Sequence, residues 1–348
     1  MNGDLPPHVR ASLERAKRLA WWTLFWMGSV CVVMWLAMGS SQAMKTALIE
    51  DLLSLIPAVT FLVANHYEKK APTDRFAFGY LRVHSLASLI AAVALTAVGA
   101  FLLYDSARTL IASEHPTIAP IRLFGQDVWL GWVMIAALIY SVIPPVILGH
   151  LKQPIARNLQ DEVLDTDAMM QKADWMTGLA GVVGIAAVRL GYWWADAAAA
   201  ALISTSILKD GITSLRVATA ELVDGTPREV GKNEIAEDAR TLIASLESRY
   251  PGSKVRLRET GRYIHAEIIG GRAEEELELE SLWPGHPDRR WRLRQVSFVP
   301  RSTAALGTSQ DRSHERETSK RTKRAIRPPH RPTESGDVVV VRRRDSPR

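Results

Sequence analysis

Two apolar stretches that each carry an acidic residue decide the fold: Lys45–Asn65 (KTALIEDLLSLIPAVTFLVAN) and Met169–Trp194 (MMQKADWMTGLAGVVGIAAVRLGYWW). Each reaches the roughly 20 residues that a helix needs to cross a bilayer. Asp51 lies in the first stretch and Asp174 in the second. Because charge inside a membrane helix is costly, it usually marks an ion, a relay or a pathway. The two carboxylates therefore predict a cation site between two membrane helices.

Other apolar stretches bring the number of predicted membrane spans to six; they are Leu19–Met38, Val83–Ile111, Val128–Leu151 and Ala195–Val217. The lone cysteine, Cys31, falls in the first of these and is interpreted as a small core residue. Lys and Arg are abundant before the first span and in every second loop after it, and short basic loops stay in the cytoplasm. This predicts a multi-pass protein with both termini cytoplasmic, in the inner membrane if the source is a bacterium, and with the second and fifth spans antiparallel.

The pattern changes after the sixth span. Glu234–Arg249 has helical spacing, whereas Val255–Glu259 and Arg262–Ile269 alternate between apolar and polar residues around Thr260–Gly261, which predicts two strands and a turn. Arg290–Val299 is a candidate further strand. Residues 1–18 are therefore a cytoplasmic segment, residues 19–220 a transport domain of six spans, and residues 225–300 a small α+β domain. A core this small is marginal alone, so we expect pairing with a second copy.

The chain ends in a basic tail, residues 301–348, with thirteen basic and six acidic side chains, while the whole chain carries a net charge of +6. Its lack of apolar periodicity predicts that it is mostly disordered. A basic segment beside a membrane can hold anionic lipid, although a merely solvated tail is an equal alternative. We predict no nucleic-acid partner. No nucleophile-and-base cluster or phosphate-binding loop was found in the sequence, so an enzyme is not expected.

Three motifs resemble those of the cation diffusion facilitators, also called cation efflux proteins. Phe78–Arg82 (FGYLR) resembles the family signature F-G-[HY]-x-[RK] at the start of the third span. Ala186–Asp196 resembles the link between spans five and six, and Glu221–Pro227 (ELVDGTP) resembles the exit from the sixth. The resemblance covers residues 15–300, roughly the whole chain without its tail. It implies six spans followed by a ferredoxin-like cytoplasmic domain, a homodimer, and export of a divalent metal in exchange for protons.

The resemblance also indicates where the metal binds, and there the sequence departs from the family. The usual ligand pairs fall on Ser54 and Ala58 in the second span, and on Met170 and Asp174 in the fifth, so Asp174 alone is kept. Met170 is better interpreted as a packing residue than as a soft ligand. The signature's closing acidic residue is replaced by His84, interpreted as a polar residue at a helix end.

A further acidic residue is common in the family three places before each pair, and these positions match Asp51 and Asp167. If Ser54 is level with Asp174, as the family pairing implies, Asp51 lies about 4.5 Å further along the helix axis. The predicted metal ligands are therefore Asp51, Asp174, Ser54 and Thr177. A polar bond to a neighbouring helix remains the alternative for Asp51.

Asp167 lies about 10.5 Å along the helix from Asp174, too far to share its ion, and is assigned to a relay or to the access path. A cap at the start of the fifth span is an equal alternative. Glu50 is assigned to the outer mouth.

The predicted donors are all oxygen atoms. Zinc favours nitrogen and sulfur, whereas oxygen sites suit harder ions such as magnesium or manganese. The sequence leaves manganese, magnesium, iron, cobalt and zinc open, and it indicates no prosthetic group. The alternative function is a degenerate relative that no longer transports but senses metal or scaffolds a membrane complex.

Overall fold

The fold is known from a computed structural model, which describes residues 5–37, 51–112, 120–123, 126–190, 192, 194–272, 278–301 and 339–342. Long helices dominate the described part of the first 222 residues: α1 (Pro7–Ala37), α2 (Ile56–Glu68), α3 (Arg82–Ala112), α4 (Leu130–Leu159), α5 (Glu162–Arg189) and α6 (Ala195–Leu222). A short hairpin of β1 (Pro120–Leu123) and β2 (Gln126–Trp129) precedes α4.

Each described helix coincides with one predicted span, although several extend beyond it. α1 starts at Pro7 rather than near Leu19, and α5 starts at Glu162, two turns before Met169. Within the described residues, α3 is the one helix whose length and apolar composition by themselves suffice to cross a membrane. The helical character is therefore observed, while the count of six spans remains a prediction.

Small residues let α3 and α6 pack closely. A Cβ atom on Gly99 of α3 would lie 2.7 Å from the backbone nitrogen of Leu208, and one on Gly211 of α6 would lie 2.8 Å from Cα of Thr96. Glycine is thus required at both crossings, because a methyl group would meet backbone rather than a movable side chain. α5 contacts α2, α3, α4 and α6, so Asp174 lies on the most central of these helices.

The C-terminal domain packs helix α7 (Glu237–Arg249) on a sheet of β3 (Lys254–Thr260), β4 (Tyr263–Ile269), β5 (Leu293–Val299) and β6 (Val339–Arg342), in that order. The pairings are antiparallel, parallel and antiparallel in turn. The predicted helix and the three predicted strands are confirmed to within a few residues. Gly261 has φ +62°, which provides the left-handed backbone that a tight hairpin needs.

Two features of this domain depart from expectation. In the described part, the connection from β4 to β5 contains two 3₁₀ helices, Leu279–Leu282 and Pro287–Arg292. Strand β6 comes from the tail that was expected to be mostly disordered, and Val339–Arg342 instead pairs with Gln295–Phe298 of β5. The tail therefore supplies the edge strand of the sheet, and the ferredoxin-like assignment remains a prediction.

Candidate metal centre

The predicted site begins with a direct contact between the predicted second and fifth spans. The hydroxyl of Ser54 donates a hydrogen bond of 2.7 Å to Oδ1 of Asp174. Ser54 is fully buried, and Met170, one turn before Asp174, is buried in an apolar cluster with Leu95 and Ile207. The structure therefore brings Ser54 and Asp174 to one level, and it makes Met170 a packing residue, as expected.

The helix of the second span is interrupted at Ser54. Residues 51–53 are helical, Ser54 and Leu55 form a turn, and α2 then begins at Ile56 with Pro57 in its first turn. Proline has no N–H group, so Pro57 cannot donate to the carbonyl of Leu53, four residues earlier. Broken helices of this kind offer backbone carbonyls to ions in membrane transporters. The carbonyl of Leu53 therefore lacks this helical partner, a feature that Pro57 signals in the sequence.

Asp51 lies one turn before Ser54 and is only partly accessible. Cys31 of α1 interacts electrostatically with both Asp51 and Asp174, so the three side chains lie in the same region of the helical domain. Cys31 itself is 8% exposed, so the thiol is a buried core residue, as expected.

Of the two remaining candidates, Thr177 and Glu50, the structure describes only Thr177. The hydroxyl of Thr177 lies 3.0 Å from the carbonyl oxygens of both Ala173 and Asp174. Its proton is therefore directed to its own helix, and lone pairs are what it can offer an ion. Glu50 lies outside the described residues. Within those residues, no three His, Cys, Asp or Glu side chains are grouped so as to hold a metal ion.

Asp167 is not a cap at a water boundary. Both Asp167 and Lys152 of α4 are wholly inaccessible, and Nζ of Lys152 lies 2.6 Å from Oδ2 of Asp167. The cap position belongs to Asp161, whose Oδ1 accepts a bond of 3.0 Å from the backbone N–H of Leu164. The cap alternative is therefore wrong for Asp167, because α5 begins before it and Lys152 binds it.

A second buried polar cluster joins the helices to the C-terminal domain. Arg262, at the tip of the β3–β4 hairpin, lies 2.9 Å from Oδ2 of Asp161 and 3.1 Å from Oε2 of Glu68, and it donates to Asn65 at 2.7 Å. His84 lies 3.1 Å from the other oxygen of Asp161. Burial acts to raise the pKa of Asp161, but His84 and Arg262 hold it well below its usual range. The hairpin is thus fastened to α2, α3 and the start of α5.

Three glutamates line a small cavity beside this cluster: Glu162, Glu221 and Glu259. Burial raises the pKa of Glu259 to about 7, with Glu221 adding to the effect and Arg292 opposing it. Burial likewise raises the pKa of Glu162 and Glu221 above their usual values. Glu259 also pairs with Arg292, and Glu221 accepts hydrogen bonds from Ser85 and Gly261. The raised pKa of Glu259 therefore predicts that its protonation changes with pH near neutrality.

Comparison with known proteins identifies the family. Residues 22–223, more than half of the chain, match the cation efflux transmembrane domain. The chain belongs to the cation efflux family. Because that family consists of membrane transporters rather than enzymes, the match confirms the family resemblance and the prediction of an α-helical, non-enzymatic membrane protein.

Individual relatives of this cation efflux protein are distant. The probable cation efflux system protein Rv2025c of Mycobacterium tuberculosis is 26% identical over 231 residues, which cover 66% of this chain and 64% of the relative. The manganese efflux system protein MneS of Bacillus subtilis is 20% identical over 53% of this chain and 60% of its own length. The zinc transporter ZitB of Yersinia pseudotuberculosis is 25% identical over 60% and 63%. The chain thus spans less than two thirds of the length of each of these three relatives.

Proposed function

We propose that this cation efflux protein exports a divalent metal cation from the cytoplasm in exchange for protons, and that the ion binds between the second and fifth spans. The hydrogen bond from Ser54 to Asp174 carries the proposal, because it joins the two spans at the level where the family places its metal. Relatives named as manganese and zinc transporters support a divalent metal as the substrate.

The chemistry of the site suits exchange of a metal for protons. A carboxylate binds a metal when it is ionised and a proton otherwise, so one ion and one or more protons compete for Asp51 and Asp174. Ser54 orients the carboxylate of Asp174 by its hydrogen bond. The turn at Ser54 and Leu55 adds flexibility where the coordination has to change between states.

The proposal includes the assembly around the site. The protein lies in the cell membrane and crosses it six times, so both of its termini are cytoplasmic. The C-terminal domain, as a ferredoxin-like unit, pairs with the same domain of a second chain to form a homodimer. The basic tail contacts anionic lipid, which attracts clustered Lys and Arg at short range.

The donor set favours hard ions. Asp51, Asp174, Ser54, Thr177 and the carbonyl of Leu53 all offer oxygen, which manganese and magnesium prefer over the nitrogen and sulfur favoured by zinc. Manganese is thus the first metal to test, followed by magnesium, iron, cobalt and zinc.

One observation favours the alternative, a relative that senses metal or scaffolds a complex without transport. Asp167, a potential relay, is paired with Lys152, and in the described part of the chain no three ligand side chains converge. A site with two carboxylates can bind metal too weakly to transport it.

Metal uptake into vesicles that contain the pure full-length protein separates the two functions. We expect uptake of at least one of the five metals, driven by a proton gradient, and its loss in Asp174→Asn. Asp210→Asn is the matched control, because Asp210 forms a partly exposed ion pair with Lys172 on the neighbouring helix. Calorimetric binding of metal without any uptake would support the sensor instead.

A further inference from the structure

A lysine is buried among the helices of a cation transporter. Nζ of Lys152 lies 2.6 Å from Oδ2 of Asp167 on α5 and 2.5 Å from Oγ1 of Thr23 on α1, and the lysine side chain is wholly inaccessible. A buried ion pair contributes little net stability, since the cost of desolvating both charges offsets their attraction. Stability alone therefore does not explain why this ion pair is present.

Polar atoms beside the pair lack partners. Within the described residues, Oδ1 of Asp167 and both amide atoms of Gln171 are buried without a hydrogen bond. Buried polar groups are nearly always bonded, so such atoms mark the place of a water or an ion. Gly149 of α4 lies opposite Gln171, where a Cβ atom would approach Cβ of Gln171 to 3.3 Å. The unbonded atoms thus lie where α4 and α5 meet.

These atoms form a line that leads to the main site. Asp167, Gln171 and Asp174 are separated by four and three residues, so they lie along one face of α5 over about 10.5 Å. Asp167 is nearer the end of α5 that meets the C-terminal domain through Asp161 and Arg262. The field of Lys152 also reaches Asp174, with which it interacts electrostatically.

We propose that Asp167 and Gln171 form a second position for a divalent cation, and that Lys152 occupies it as a tethered cation until the transported ion displaces the ammonium group. The oxygens of Asp167 and Gln171 supply the hard donors, and Lys152 keeps the position electrically balanced when it holds no metal. This inference rests on the proposed function, since it describes a step before the ion reaches Asp174.

The charge of Lys152 has a measurable effect on binding. A unit positive charge about 10 Å from a divalent ion weakens binding on the order of a hundredfold at an effective dielectric constant near 20. In manganese titrations of the full-length protein, Lys152→Met should therefore bind manganese on the order of a hundred times more tightly. It should also bind two equivalents per chain where the wild type binds one. Lys172→Met removes a half-exposed lysine of α5 that pairs with Asp210 of α6, and it should change neither the affinity nor the stoichiometry.

A second variant covers the case in which Lys152→Met does not fold. Lys152→Met/Asp167→Asn leaves no unpaired charge, so it should fold, bind one manganese with nearly wild-type affinity, and transport at least tenfold more slowly. The inference is overturned if this double variant transports at the wild-type rate, or if a folded Lys152→Met keeps the wild-type affinity and stoichiometry. If the wild type transports no metal at all, the proposed function fails first.

Discussion

Replacing Arg262 by methionine tests whether the hairpin tip holds the C-terminal domain to the helices. The guanidinium group is 2% exposed and contacts Asp161, Glu68 and Asn65 at 2.9, 3.1 and 2.7 Å. Methionine keeps most of the volume and removes the charge, so two buried carboxylates lose their counter-ion. Removing one partner of a buried pair typically costs about 3–5 kcal/mol, and His84 moderates the loss because it still contacts Asp161.

That cost corresponds to a fall in Tm of roughly 10 °C if each kcal/mol is worth about 2–4 °C. Thermal unfolding of the detergent-solubilised protein, followed by tryptophan fluorescence, measures it. Arg258→Met is the matched control, since Arg258 lies in the same hairpin, is half exposed, and meets Asp224 at 3.5 Å; exposed pairs of this kind contribute about 0–1 kcal/mol. Equal Tm values for the two variants would refute the role given to Arg262.

Three further predictions concern the site, the junction and the tail. Ser54→Ala should weaken manganese binding about tenfold, the value of one hydrogen bond to a charged group, whereas equal affinity in a titration would remove Ser54 from the site. Because burial raises the folded-state pKa of Glu259 from 4.5 to about 7, its contribution to stability is complete below pH 4.5 and is lost as pH rises to 7; Tm should therefore fall between about pH 4.5 and pH 7 and level off above that, and the fall should be smaller in Glu259→Gln. An unchanged slope in that variant would assign the pH dependence elsewhere. Deleting Thr308–Arg348 removes β6 and should lower Tm by a few degrees while leaving transport largely intact and weakening binding to anionic vesicles; loss of all transport would give the tail a structural role beyond one edge strand.

Local patterns predicted the C-terminal domain well. Alternation over Val255–Ile269 and the glycine at Gly261 are visible in a short stretch of sequence, and both act through neighbouring residues. Strand β6 was missed because Val339–Arg342 is only three valines and an arginine inside a basic tail, and its pairing with β5 depends on a distant partner. The early start of α5 was missed because Asp165 and Asp167 made its first turns resemble a polar loop.

The metal site remains a prediction, but one contact within it could be expected from the sequence. The family pairing of the two spans predicted that Ser54 and Asp174 lie at the same height along their helices. In the structure a direct hydrogen bond joins the two side chains. The partners of Asp167 and Asp161 were not foreseen, since ion pairs between distant segments leave no period in the sequence. Lys152 directly follows the apolar run Val128–Leu151, so the sequence alone indicates a loop charge rather than a buried one. Its burial shows that a charge at a predicted span end can face the protein interior.

The central claim is that a divalent metal binds at Asp174 beside Ser54, with Asp51 as the second carboxylate. Calorimetric titration of manganese into the full-length wild type, Asp51→Asn, Asp174→Asn and the control Asp210→Asn tests it most directly. We expect one binding event in the wild type and in Asp210→Asn, and none in either of the other two variants. Tight metal binding, of manganese or of zinc, that survives both substitutions would contradict the account and make this carboxylate pair structural.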